Sequence, residues 1–133
     1  MTADTYDGAS VGAGRFPPNL LQTRSSEAEP QIDIVIPVYN EGENIARVLD
    51  ALLKSVRTPY RVLICYDFDE DTTLEALRQY QHTAMERGNR AVDIRLVKNQ
   101  RRGVHGAVVT GFEHVTAPAA IVLPADDDYN TAL

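Results

Sequence analysis

From Gln31 onward, short apolar runs alternate with stretches in which apolar residues recur every three or four positions. Ile32 to Val38 (IDIVIPV) is rich in β-branched residues and reads as a buried strand. A loop, Tyr39-Asn40-Glu41-Gly42, follows. Ile45, Val48, Leu49, Leu52 and Leu53 then predict a helix over 43–55 with one apolar face, with Glu41 and Glu43 near its positive end. Thr58-Pro59 ends it. Tyr60 to Tyr66 (YRVLICY) is a second strand, and 67–71 an acidic loop in which Asp71 or Thr72 caps the next helix. Leu74, Leu77, Tyr80 and Ala84 form that helix's face, and Gly88-Asn89 closes it. Val92 to Val97 is a third strand. A third helix opens at Gly103, with Val104, Ala107, Val108, Gly111, Phe112 and Val115 on one side, and stops at Pro118. Ala119 to Leu123 is a fourth strand, followed by a loop over 124–130.

Strand and helix thus alternate three times before a final strand. This order predicts an α/β fold in three layers, a mostly parallel sheet with helices on both faces. Right-handed crossovers place every strand-to-helix loop on one sheet edge, where open α/β sheets bind ligands. The residues expected there are Tyr39, Asn40 and Glu41; Asp67, Asp69 and Asp71; Arg101, Arg102 and Gly103; and Asp126, Asp127 and Asp128. Carboxylates gathered from three loops repel, so the cluster is expected to need a cation or a compensating ligand.

Composition narrows the alternatives. Residues 1–30 are rich in Gly, Ser, Ala and Pro and show neither helical nor strand periodicity, so they are expected to be a flexible leader preceding a domain over 31–133. No apolar run is long enough for a signal peptide or a membrane span. Thirteen Lys and Arg against nineteen Asp and Glu give a formal charge of −6 and no basic face for nucleic acid. A divalent ion still permits such a chain to bind anionic phosphates. The single cysteine, Cys65, lies in an apolar run and is expected to be a small buried residue.

Each candidate group has a chemical role and a plainer one. Tyr39 offers a flat face to a nucleoside and Glu41 an acceptor, yet the same segment is also a strand end before a helix. The glycine-rich fingerprint of dinucleotide-binding proteins is absent from it. Glu70 and Asp71 read as a solvated, capping turn. Asp67, directly after a strand, suits hydrogen bonds from a base edge. In extended chain Asp126 and Asp128 point the same way, and two carboxylates with substrate phosphate and water suit Mg²⁺ or Mn²⁺. Arg101 and Arg102 either meet a diphosphate or face solvent. His82 and His114 read as surface or packing residues, and Met85, Tyr60 and Tyr80 as packing residues.

Taken together, PVYNEGENI, CYDFDEDTT, RGVHGAVVTG and PADDD resemble the four ordered signatures of family 2 glycosyltransferases, particularly the branch of dolichol-phosphate mannose synthase. The likeness runs from about Ile32 to Asn130. The second signature keeps Asp67, Asp71 and Thr73 but has Tyr66, Phe68 and Thr72 where the family has Asp, Gly and Gly. The third keeps Gly103, Ala107, Thr110 and Gly111, with Val104 where Lys is common. In the fourth, the DxD motif, Pro124 occupies the first Asp position. The resemblance implies a GT-A, Rossmann-like nucleotide-diphospho-sugar transferase fold, with Pro37, Tyr39, Glu41 and Asp67 holding the nucleoside. Asp126 and Asp128 would hold a metal on the diphosphate.

It also implies sugar transfer with inversion to an acceptor such as a polyprenyl phosphate, at the cytoplasmic face of a membrane. The acceptor-binding half of the family follows the DxD region, so these 133 residues are expected to be a truncated domain that binds donor weakly and transfers little. Two other classes fit less well: a non-catalytic nucleotide-sugar-binding module or inactive fragment, and a receiver-like phosphoacceptor domain. The latter requires an acidic pair after strand one, where only Glu41 stands.

Overall fold

The computed structural model describes residues 29–89 and 91–126. Nearly all of the expected leader, together with Asp127 and Asp128, lies outside them. The described chain runs β1 (Ile32–Pro37), α1 (Ile45–Ser55), β2 (Tyr60–Tyr66), α2 (Thr72–Glu86), β3 (Ile94–Lys98), α3 (Gly103–Glu113) and β4 (Ala119–Val122). The four strands form one parallel sheet in the order β3-β2-β1-β4. The alternation legible in the sequence is therefore the alternation of the fold.

The central strands explain their own composition. Strand side chains alternate between faces, and in β1 and β2 both faces are covered. Ile34, Ile36, Val62 and Ile64 join Val48, Leu49, Leu52 and Leu77 in a core beneath α1 and α2. Val35, Leu63 and Cys65 face the other way, onto Ala107 and Val97. Helix α3 packs on that second face, against all three of β1, β2 and β3. Helices thus cover both faces, as the alternation of elements predicts. Burial pushes the Cys65 thiol up to about 11, in keeping with a packing role.

Helix α3 keeps its predicted face only in part: Ala107 and Gly111 are buried and Val115, just after it, packs on the second core cluster. Val104 and Phe112 are exposed, and the residues it buries are Gly106, Ala107, Thr110 and Gly111. The helix lies so close to the sheet that a Cβ on Gly111 would fall 2.5 Å from Val35 Cγ1 and 2.8 Å from Cys65 Sγ. Small side chains, not bulky ones, mark its contact line. Met85, expected to pack, is likewise exposed at the end of α2. Helix α1 begins at Ile45 rather than Glu43, so Glu41 and Glu43 precede its first turn. Strand β3 begins at Ile94, two residues later than predicted, and runs to Lys98.

The N-terminal edge is closed by one buried carboxylate. Asp33 is fully buried. Arg61 Nε and Nη2 donate to its two oxygens at 2.8 and 2.9 Å, and the amides of Thr116 and Ala117 add bonds of 2.8 and 3.0 Å. β1, β2 and the turn after α3 are thereby joined. Burial alone would raise the Asp33 pKa, but the Arg61 hydrogen bonds, the two amides and the Arg61 charge outweigh it and hold the carboxyl below its usual value.

Candidate functional site

Because all four strands are parallel, the segments that follow them share the opposite edge. Across that rim the order is Asn99–Gly103, Asp67–Asp71, Tyr39–Gly42 and Leu123–Asp126. Pro37 ends β1 opposite Cys65, and the ladder continues one residue further, with Val38 N donating to Cys65 O at 2.9 Å. β4 pairs on the other side of β1, where Leu123 N donates to Val35 O at 2.9 Å. The sequence neighbour changes side here, which makes the space above β1 and β4 the switch point at which such sheets bind ligands.

The β1 loop is stapled to the start of α2. Asn40 adopts φ +51°, and its amide donates to both oxygens of Asp71 at 3.0 Å. Its side-chain oxygen accepts from Thr72 N at 3.0 Å. Glu41 N donates to Thr73 Oγ1 at 2.8 Å and Gly42 N to Thr72 Oγ1 at 3.2 Å. Asp71 also caps α2 by accepting from Thr73 N at 2.8 Å. The capping role expected of Asp71 is observed, but the residue is not solvated: it is 2% exposed, because its second partner comes from a loop 31 residues away.

This staple presents two side chains. Tyr39 is 67% exposed, and its ring meets Phe68 edge-on with centroids 5.6 Å apart. Phe68, one of the departures from the family pattern, thus forms an aromatic corner with Tyr39. Glu41 is half-buried, and one of its carboxylate oxygens accepts from Asn44 Nδ2 at 2.9 Å.

The β2 loop is joined in turn to the β3 loop. Asp67 Oδ1 accepts from Asn99 Nδ2 at 2.7 Å, and Oδ2 receives Gly103 N at 3.4 Å. Gly103 has φ +77°, a conformation side-chain-bearing residues avoid, and its geometry turns the α3 N-terminus toward Asp67. Asp69 pairs with Lys98 at 2.9 Å, and that hydrogen bond raises the lysine pKa. Arg101 turns away from the rim, binding Glu113 at 2.8 Å and Thr110 at 3.0 Å, while Arg102 faces solvent.

These partners revise the electrostatic expectation. Asp69 has a lysine, Asp71 has backbone amides, and Asp67 has an amide side chain and a helix N-terminus. Mutual repulsion among them therefore does not by itself demand a cation. Among the described residues no three Asp, Glu, His or Cys side chains gather to hold a metal. Asp126 differs from the other aspartates. It is exposed, follows the buried Leu123 and Ala125, and has no hydrogen-bonding or ionic partner among the described residues. As a hard oxygen donor at the switch point, it fits one ligand position of Mg²⁺ or Mn²⁺. Asp128, the second expected ligand, lies outside the described residues.

A broad concavity of about 950 Å³ lies elsewhere, along the outside of α1 and α2 from Gly42 to the turns after both helices. Asp50, Lys54, Arg57, Tyr80 and Arg87 line it, and Tyr80 Oη donates to Asp50 at 2.7 Å. None of the rim carboxylates reaches it.

Comparison with known proteins agrees with this geometry. The family described as "Glycosyl transferase family 2" matches residues 33–132. An undecaprenyl-phosphate 4-deoxy-4-formamido-L-arabinose transferase of Edwardsiella ictaluri is 33% identical over 98 residues, 71% of this chain and 29% of that protein. The corresponding transferase of Klebsiella pneumoniae is 32% identical over 99 residues, 72% of this chain and 29% of its own length. The chain therefore spans under a third of these relatives. Among solved structures, a mannosyltransferase of Pyrobaculum calidifontis in complex with GDP-Man and Mn²⁺ superposes with a TM-score of 0.59 at 23% identity, covering 82% of this chain and 35% of that one. Glucosyl-3-phosphoglycerate synthase of Mycobacterium tuberculosis, in complex with UDP, gives 0.52 at 17% identity, covering 82% and 38%. The sheet and its helices are those of the GT-A nucleotide-sugar transferase fold.

Proposed function

The chain belongs to glycosyl transferase family 2, and from that premise we propose that residues 31–133 are the donor-binding part of a glycosyltransferase using a nucleotide-diphospho-sugar. The observation that carries this reading is the placement of Asp126. Its exposed carboxylate stands in the turn that follows β4, the neighbour of β1, on the same edge as Tyr39, Glu41 and Asp67.

In this reading Pro37 shapes the floor of the nucleoside pocket, Tyr39 stacks on the base with Phe68 bracing it, and Glu41 and Asp67 accept hydrogen bonds from base or ribose. Asp126, with Asp128, would hold Mg²⁺ or Mn²⁺, and that ion would supply positive charge to offset the charge of the departing nucleoside diphosphate. The acceptor oxygen forms a bond to the anomeric carbon as the bond from that carbon to the diphosphate breaks. The acceptor class we propose is a polyprenyl phosphate, supported by the undecaprenyl-phosphate transferases to which the chain is similar. Such an acceptor would bring the domain to a membrane surface, which we propose is the cytoplasmic one. No described helix is long and apolar enough to cross one.

Titration calorimetry tests the reading. With Mn²⁺ present, a UDP- or GDP-sugar should bind to the protein, and Asp126→Asn should weaken binding about tenfold by removing one charged ligand. Wild-type and variant affinities that agree, with and without Mn²⁺, would remove Asp126 from the site.

A further inference from the structure

Asn99, 6% exposed, is a buried polar side chain at this rim to which the proposed function gives no role. It continues β3 by donating its backbone N–H to Tyr66 O at 2.7 Å. Its amide makes four hydrogen bonds, the full capacity of that group. Nδ2 donates to Asp67 Oδ1 at 2.7 Å and to Gly103 O at 3.3 Å. Oδ1 accepts from Arg101 N and from Thr110 Oγ1, both at 2.9 Å.

The direction of these bonds is determined by their donors. Arg101 Nη1 donates to Thr110 Oγ1 at 3.0 Å, so the threonine proton is directed to Asn99 Oδ1. Arg101 N, which can only donate, faces the same oxygen. The NH₂ group must therefore face Asp67. A chain of donors runs from the Glu113–Arg101 pair through Thr110 and Asn99 and ends on a single oxygen of the carboxylate.

We propose that Asn99 is a positioning residue for donor recognition: it aims the Asp67 carboxylate at the nucleoside and fixes which of its lone pairs remain for the ligand. The proposal rests on the reading of Asp67 as a donor-binding residue. Asp67 accepts one bond per oxygen within the protein, and a carboxylate offers roughly four acceptor sites. The rest have no protein partner among the described residues. Removing the Asn99 donor frees the carboxylate to rotate, so the effect falls on nucleotide affinity rather than on the fold alone.

Asn99→Asp separates these effects. It keeps the side chain's shape and the oxygen that accepts from Arg101 N and Thr110, but replaces the NH₂ group facing Asp67 with a second carboxyl oxygen. Titration calorimetry with UDP-GlcNAc or GDP-mannose, whichever wild type binds more tightly, and Mn²⁺ should show about tenfold weaker binding near neutral pH. Two carboxyls this close share a proton as pH falls, which restores a hydrogen bond to Asp67. The loss should therefore shrink on acidification in the variant and not in wild type. Arg101, Arg102 and Lys98, the Arg and Lys residues of the adjoining segments, keep their charge on acidification from neutral pH, and His105, in the first turn of α3, is common to variant and wild type.

Asp67→Ala should also weaken binding about tenfold, and Asn99→Asp should then add less than twofold in that background. Thr110→Val, which removes the hydroxyl that orients the amide, should weaken binding about threefold with the same dependence on Asp67; it serves where Asn99→Asp fails to fold. Equal factors in both backgrounds, or unchanged affinity in Asn99→Asp, would overturn the proposal. An Asp67→Ala protein that binds like wild type would overturn the nucleoside reading itself, and this proposal with it.

Discussion

The two ends of the sheet handle their carboxylates in opposite ways. At the N-terminal end Asp33 is sealed, with four donors on its two oxygens and no solvent. At the C-terminal end Asp67 is half-buried and accepts one bond per oxygen, while Asp126 is exposed. A saturated carboxylate has nothing left to offer a ligand, so Asp33 can act only on the fold. The rim carboxylates retain acceptor sites, which cost little where water can fill them and which a ligand can take over. Within the rim, Asp71 behaves like the N-terminal end: it is buried and holds amides from the β1 loop and the first turn of α2.

This contrast predicts a graded set of effects. The largest should come from Asp33→Ala, which strips Arg61 of its carboxylate partner, leaving it only Thr116 Oγ1, and deprives two amides of their acceptor. Breaking such a pair costs about 3 kcal/mol or more, readable as a lower midpoint in urea with an unchanged slope. Asp71→Ala should follow, at about 2 kcal/mol, since it removes a helix cap together with the partner of Asn40 N. Unlike Asp33→Ala, it should also weaken nucleotide binding, because the β1 loop loses its staple. Gly111→Ala should cost about 1–3 kcal/mol by pushing α3 from Val35 and Cys65. Arg101→Ala, at an exposed pair, should leave the urea midpoint nearly unchanged. If Asp126→Asn destabilised the protein as much as Asp33→Ala, the contrast between the two ends would fail.

The same contrast has a pH signature. The Asp33 carboxyl is held below its usual pKa in the folded protein. The unfolded chain therefore binds its proton first as pH falls, and stability drops with pH. The contribution is fully present above the ordinary carboxylate value of about 4 and is lost as pH falls through the lower folded value. Urea midpoints measured from about pH 6 downward should show this decline in wild type and a shallower one in Asp33→Asn.

What could be read from the letters follows from what each position does. β1 and β2 were legible because strands covered on both faces must be continuously apolar, and residues 32–37 and 60–66 are nearly so. The face of helix α3 is legible only in part: Ala107 and Gly111 fall on the expected stripe and are buried, but periodicity weighs bulk, whereas close approach to the sheet also selects Gly106 and Thr110. Val104 and Phe112 fell on the expected stripe and yet are exposed. Strand order alone brings the segments after β1, β2 and β3, together with Asp126 after β4, to one edge. Its chemistry was less visible: Asp71 looked solvated because its partner Asn40 is distant in sequence, and the repulsion expected among aspartates is relieved by Lys98, Asn99 and backbone amides. Asn99 carried no signal, since an Asn in a polar turn reads as loop until its four partners are seen. Phe68, noted only as a departure from a motif, emerges as the ring beside Tyr39.

The central claim is that the nucleotide-sugar sits on the rim and not in the wider groove along α1 and α2. Amide chemical shifts recorded while a UDP- or GDP-sugar is titrated with Mg²⁺ test it directly. The account predicts that Tyr39, Glu41, Asp67, Asn99 and Asp126 shift together and saturate at one concentration, while Asp50, Lys54, Arg57 and Arg87 stay in place. Shifts confined to the groove residues, with the rim unmoved, would contradict it.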